Sequence, residues 1–224
     1  MWIGLVGSEM CIRDRYFGVH REGWKFFLIF SLLSFFSLTI SIVLFLLFII
    51  FSFFTLWFFR DPERASENND DQLLSAADGK ICFIGEAIPP RETNISSKMK
   101  KVSIFMNVFN VHINRSPVNG DVEKIIYKNG KFFNASLDKA SNYNERNSFI
   151  INANGDQIIV VQIAGLIARR ILGFISEGHK ISKGDRLGLI RFGSRVDIYL
   201  PNNYEIVIEK NDNVVAGETI IAIK

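Results

Sequence analysis

The chain has 224 residues, room for one core-bearing domain and an accessory segment, and 48% of them are hydrophobic, including 21 Phe. A formal net charge of +3 is too small to point to nucleic acid and leaves contact with anionic lipid open. Only Cys11 and Cys82 are available, so a disulfide framework is excluded and a reducing compartment fits.

Residues 1–15, MWIGLVGSEMCIRDR, resemble a translated sequencing-adapter remnant and are set aside, Cys11 with them. Residues 16–64 read as a membrane anchor, because Phe26 to Phe59 contains no charged residue, no Gly and no Pro. As one helix that run would extend about 50 Å, against a hydrocarbon core of about 30 Å. A hairpin bending at Ser37, Thr39 and Ser41 fits better than a single tilted helix. Arg21 and Lys25 precede the run and Arg60 and Arg64 follow it, which places both ends on the cytoplasmic side under the positive-inside rule. Trp24 and Trp57 then share one interfacial belt. Arg60-Asp61-Pro62-Glu63-Arg64 lacks the small residues of a signal-peptide cleavage site.

Residues 65–75 are polar and read as a linker, and residues 76–224 as the catalytic or binding domain. Runs rich in β-branched and aromatic residues predict strands over Lys80–Gly85, Lys101–Phe109, Val122–Tyr127, Ser148–Ile151, Gln157–Ile163, Arg195–Leu200, Glu205–Glu209 and Thr219–Ile223. Lys128-Asn129-Gly130 and Asn154-Gly155 are hairpin signals. Helical period is confined to Ala164–Ile175 and, more weakly, Ala135–Arg146. The expected fold is mainly β (α+β), a compact barrel or sandwich of short strands behind the hydrophobic helix or hairpin. Cys82, inside Ile81-Cys82-Phe83-Ile84, reads as a small strand hydrophobe.

Three distant positions carry the parts needed to activate a serine. They are Asp78 in an Ala-Asp-Gly turn, His112 in Asn110-Val111-His112-Ile113-Asn114-Arg115, and Ser194 in Phe192-Gly193-Ser194-Arg195. An imidazole takes the hydroxyl proton, and a carboxylate fixes its tautomer and stabilises its cation. His20 lies before the apolar run and His179 in a turn, so His112 is the histidine of interest. A Gly-Ser pair alone is ordinary turn chemistry.

The surrounding blocks change that reading. Phe58–Arg64 (FFRDPER), Ala77-Asp78-Gly79, VSIFMNVFNVHINRSPVNG at 102–120, KFFNASLDKASNYNERN at 131–147, VQIAGLIARRI at 161–171 and GLIRFGSRVDIYLP at 188–201 together resemble the short bacterial class of phosphatidylserine decarboxylase proenzymes, over nearly all of residues 20–224. The resemblance implies a pyruvoyl-dependent phospholipid decarboxylase whose self-processing triad is Asp78, His112 and Ser194. It implies scission between Gly193 and Ser194 into a long chain, 1–193, and a short chain, 194–224, that stay associated. Ser194 becomes the pyruvoyl group, which forms a Schiff base with phosphatidylserine and yields phosphatidylethanolamine and CO2. It further implies the bacterial inner membrane with the domain on its cytoplasmic side, no metal and no nucleic acid, and leaves a homo-oligomer open. Lys139, Arg146, Arg169 and Arg170 are candidate ligands of the lipid phosphate. Ala76, where the family commonly has Pro, and His179, where it usually has an acid, depart from the pattern away from the triad. Two other readings fit the residues: a pyruvoyl decarboxylase for another serine-headed lipid, and a non-catalytic membrane-tethered β-rich interaction domain.

Overall fold

A computed structural model describes residues 15–16, 18–66, 69–131, 143–165, 170–191 and 193–224. They divide into two compact units, Met1–Glu63 and Arg64–Lys224. In the first, a short ribbon of β1 (Arg15–Tyr16) and β2 (Val19–His20) precedes two helices, α1 (Arg21–Ser37) and α2 (Ile42–Phe58). The His20 side chain caps α1 by accepting from the Glu22 amide, and Ser41 caps α2 by accepting from the Val43 amide. The apolar run is therefore broken at residues 38–41, inside the Ser37–Ser41 cluster, because a serine that caps a new helix ends the old one.

Ser34, Ser37, Ser52 and Thr55 of this unit are buried. Ser31 and Ser52 hydroxyls meet at 2.7 Å, and Ser52 and Ser34 donate across to the Phe27 and Phe45 carbonyls at 3.1 Å each. Phe30 packs on Phe48 and Phe51, while Phe35, Phe36, Ile40 and Val43 are exposed. Each helix has 17 residues, and no helix among the described residues is long and apolar enough to cross a membrane.

The second unit is built from strands β3 (Gln72–Leu74), β4 (Gly79–Ala87), β5 (Met99–Met106), β6 (Ile113–Arg115), β7 (Gly120–Lys128), β8 (Arg146–Ala153), β9 (Asp156–Ala164), β10 (Ile171–Gly173), β11 (Lys180–Ile181), β12 (Arg186–Ile190), β13 (Ser194–Leu200), β14 (Glu205–Ile206), β15 (Asn213–Val214) and β16 (Ile220–Ile223). Eight form one curled sheet in the order β11-β7-β8-β9-β13-β5-β4-β15, with every pairing antiparallel. Two three-stranded sheets, β10-β12-β6 and β14-β16-β3, accompany it. The unit is mainly β as expected, and among the described residues no ladder joins the edges of the large sheet, β11 and β15.

Period-2 alternation sets its two faces. In β13, Val196, Ile198 and Leu200 enter the main core with Val102, Ile104, Phe149, Ile151, Ile158 and Val160. Tyr199 turns to the other face and packs with Met99, Ile159, Val161 and Ile163.

Several local expectations are corrected. Ile171–Gly173 is strand β10, not helix, because it pairs residue for residue with Gly188–Ile190. Arg146 opens β8 rather than closing a helix, while 135–142 and 166–169 lie outside the described residues. The strand predicted over Lys101–Phe109 stops at Met106, since the Asn107 and Asn110 side chains accept from the Phe109 and Asn107 amides and close a turn. Asn154 and Gly155, both at positive φ, do make the tight β8–β9 hairpin. Asn129-Gly130 does not make one: β7 and β8 pair from Lys128 to Arg146, across a long connection.

On the far face, the fully buried Asp197 carboxylate takes Lys101 Nζ at 2.8 Å and Arg195 Nε at 2.6 Å, and Arg195 also donates to Ser103. Burial pushes the Asp197 carboxyl up, but Lys101 and Arg195 outweigh it and hold it below the usual carboxylate range. A depressed folded-state pKa adds stability that is present above the unfolded value and is lost as pH falls through the folded one. Asp197→Asn, compared in a Ser194→Ala background, should cost about 3 kcal/mol at neutral pH by stranding two buried cations. Urea unfolding should show that gap narrowing as pH drops below about 4; a gap independent of pH would contradict the assignment.

Candidate active site

Three chain ends meet at one end of the large sheet. Ser194 opens β13 opposite Met106, the last residue of β5, and opposite Ala164, the last residue of β9. Asp78 immediately precedes β4, which pairs with β5 from Lys80↔Phe105 onward. Gly79 allows this approach, since a Cβ there would stand 2.3 Å from the Phe105 carbonyl oxygen. His112 lies between the Asn107–Asn110 turn and β6, and its carbonyl accepts from the Ile190 amide at the end of β12.

The imidazole of His112 is fully buried. Its Nδ1 sits 3.0 Å from the Asn110 carbonyl oxygen, which can only accept, so Nδ1 carries the proton. Nε2 accepts from the Gly193 amide at 3.3 Å. Together these contacts specify a neutral ring with its lone pair turned to the residue before Ser194. Gly193 has φ +70, a left-handed conformation, with open space where a Cβ would project, so glycine is favoured here by backbone strain alone.

Ser194 is completely buried and faces the main core, by the same alternation that directs Val196 inward. Its hydroxyl donates to the thioether of Met106 at 3.4 Å. Around it runs a buried polar chain. Asn114 donates to Met106 Sδ (3.5 Å), Gln162 donates to Asn114 Oδ1 (2.8 Å), and Asn147 donates to Gln162 Oε1 (3.3 Å). Asn147 Oδ1 is buried and has no hydrogen-bond partner among the described residues.

Asp78 is mostly buried, with Oδ1 accepting from the Ala216 amide at 2.8 Å and Oδ2 on Arg64 Nη2 at 2.9 Å. The structure therefore joins Gly193 to His112 directly, rests the Ser194 hydroxyl on Met106, and gives Asp78 a clamp of its own at the same end of the sheet.

The candidate phosphate ligands do not gather there. Arg146 reaches the far face, where its Nη2 donates to Glu92 Oε2 at 2.8 Å and its Nε also meets that carboxylate. It lines a cavity of about 700 Å³ with Phe83, Lys101, Arg195 and Tyr199, across the sheet from Ser194. Arg170 is exposed, its carbonyl accepting from the Arg191 amide at 3.3 Å. Lys139 and Arg169, like Phe192, lie outside the described residues. Cys82 is a strand residue whose thiol donates to the Ser103 carbonyl, and burial raises its pKa, so it is not a poised nucleophile.

Sequence reading missed Met106, Asn114, Asn147 and Gln162. The signal was present in Ile158–Ala164, where Gln162 interrupts an apolar strand on its core-facing parity.

These features define a β-rich site built around a buried serine. The sequence profile of the phosphatidylserine decarboxylase family matches residues 51–222. The phosphatidylserine decarboxylase proenzyme of Azorhizobium caulinodans is 49% identical over 212 residues, spanning 94% of this chain and 91% of its own length. Those of Rickettsia akari and Rickettsia africae are each 48% identical over 206 residues, spanning 91% of this chain and 89% of their own. The chain belongs to the phosphatidylserine decarboxylase family.

Gln162→Met keeps the volume and removes both hydrogen bonds to its neighbours. It is expected to cost about 2 kcal/mol by leaving Asn114 Oδ1 and Asn147 Nδ2 unpaired. Chemical denaturation of the Ser194→Ala protein with and without the change measures it, and an unchanged midpoint would contradict the polar chain.

Proposed function

We propose that this chain is a pyruvoyl-dependent carboxy-lyase that converts phosphatidylserine to phosphatidylethanolamine and CO2, after cutting itself between Gly193 and Ser194. The observation that carries the reading is the neutral His112 ring with Nε2 at 3.3 Å from the Gly193 amide, beside a buried serine hydroxyl. That the relatives are named proenzymes supports a maturation step.

In the scission, Ser194 Oγ leaves Met106, rotates about its Cα–Cβ bond and gives its proton to His112 Nε2. The Asn110 carbonyl orients the ring, and Asp78, at the same end of the sheet, stabilises its cation. Oγ adds to the Gly193 carbonyl carbon, the Gly193–Ser194 C–N bond breaks, and the freed amine takes the proton from His112, leaving an ester. Loss of the 194 α-proton expels the Gly193 carboxylate and leaves a dehydroalanine. One water then releases ammonia and completes the pyruvoyl group.

The residues around position 194 fit such a group: a fully buried site beside Met106 and the Asn114 amide, preceded by a glycine with open space where a Cβ would stand. There, the chemistry supplied is a carbonyl that condenses with the substrate amine and accepts the electron pair released with CO2. His112 is the residue placed to hold or move a proton at that carbonyl. Of the four candidate cations, Arg170 is the described one that is not committed to the other face, where Glu92 holds Arg146.

The hairpin of α1 and α2 is the bilayer-facing element in this reading, with serines turned inward and Phe35, Phe36 and Ile40 turned outward. Arg21, Lys25, Arg60 and Arg64 favour the cytoplasmic face of the bacterial inner membrane.

Denaturing mass spectrometry of matured protein should show two chains, divided after Gly193, with the smaller one blocked at its N-terminus. Ser194→Ala and His112→Ala should each remain a single chain. An intact wild-type chain would sink the enzyme reading, and clean processing of His112→Ala would remove the base assignment. Release of CO2 from phosphatidylserine vesicles, compared with other serine-headed lipids, tests the substrate.

A further inference from the structure

The Asp78 carboxylate is held from two sides, and the two sides come from opposite ends of the second unit. Arg64 approaches Oδ2 at 2.9 Å from just ahead of the second unit's first strand. The Ala216 amide donates to Oδ1 at 2.8 Å from the turn between β15 and β16. Arg64 also places Nη1 3.6 Å from Glu218 Oε1, so one guanidinium spans the Asp78 turn and the 216–218 turn. The backbone fixes the same junction: Ser75 accepts from the Gly217 amide and donates to the Thr219 carbonyl, each at 2.8 Å, and Ser66 Oγ donates to the Gly217 carbonyl at 2.7 Å.

Such a contact differs from an ordinary surface ion pair. Arg64 and Asp78 side chains are only 15% and 13% exposed, so solvent screening is reduced and the geometry is constrained from both partners. A guanidinium with two directed N–H groups fixes a carboxylate's orientation as well as its charge.

We infer that Arg64 is a positioning residue for self-scission: it holds the Asp78 carboxylate, against the Ala216 amide, in the orientation from which Asp78 serves His112. The inference rests on the proposed role of Asp78 as the acid that stabilises the His112 cation. Arg64 contacts neither reacting group, the Ser194 hydroxyl or the Gly193 carbonyl, and acts only through Asp78.

The test follows the time course of scission in full-length protein, as the loss of intact chain on denaturing gels, for wild type, Arg64→Ala, Arg64→Lys, Arg64→Gln and Asp78→Asn. Removing a hydrogen-bonded charge partner should slow Arg64→Ala about tenfold to a hundredfold. Arg64→Lys, which keeps one charged donor, should recover most of the rate, and Arg64→Gln, which keeps donors without charge, should recover less. Millimolar guanidinium should accelerate Arg64→Ala severalfold while leaving Asp78→Asn unchanged, an effect that lost packing would not produce. Thermal melting of each variant in the Ser194→Ala background separates slow chemistry from poor folding.

Wild-type rates in Arg64→Ala, with Asp78→Asn inactive, overturn the role of Arg64 and leave the triad standing. Slow scission with a lowered melting point, and rescue by neither lysine nor guanidinium, also overturns it in favour of a structural role. Wild-type rates in Asp78→Asn overturn both the role proposed for Asp78 and this one.

Discussion

Strand β13 is hydrogen-bonded on both sides, to β5 and to β9, and this double ladder fixes the position of everything else at the site. With two antiparallel partners in register, residue 194 has no freedom along the strand or about it. Ser194 must face the core because Val196 and Ile198 do, and a one-residue slip would send Arg195 and Asp197 into an apolar interior. The Asp197 pair with Lys101 and Arg195 thus acts as a register lock on the opposite face, where it is satisfied only in the observed alignment. A buried ion pair is a poor source of net stability but an effective penalty against the wrong arrangement.

Upstream of that fixed strand, the chain has to turn sharply, and Gly193 does so at positive φ. The turn presents its amide to His112, whose own ring is set by the Asn110 carbonyl. One contact therefore selects the tautomer and another selects the direction of the lone pair. The hydroxyl of Ser194, resting on a weak sulfur acceptor, is held loosely by comparison. A nucleophile on a soft partner beside a firmly placed base is an arrangement that stores no strong bond to be broken before reaction.

Legibility in the sequence varied with the range of the interaction that decides each feature. Runs such as Gln157–Ile163 and Arg195–Leu200 announced strands because burial imposes a local period, and Asn154-Gly155 announced its hairpin because positive φ is a local demand. Ile171–Gly173 was misread as helix because its conformation is set by a partner strand that begins with Arg186, which no local pattern encodes. The same holds for Asn129-Gly130, where a turn signal was overridden by pairing to distant residues. At the site, Ser194, His112 and Asp78 stood out as residue types with chemistry, whereas Asn114 and Met106 became visible only once the sheet had brought them together. Arg146 shows the converse: an attractive cation by type, its direction follows from strand parity, and that points it away from Ser194.

The central placement of β13 governs the fate of both products of the proposed cut. The 194–224 segment contributes an interior strand of the large sheet as well as β14, β15 and β16, so it is woven through the domain and not appended to it. Severing the backbone at its first residue removes one covalent bond and none of the ladders, which makes the fragment a captive of a fold it helped to form. Such a product has no route back: once unfolded, two separate chains must find each other before the interior strand can be threaded between its neighbours, and the domain's thermal denaturation should become irreversible at the moment the enzyme matures.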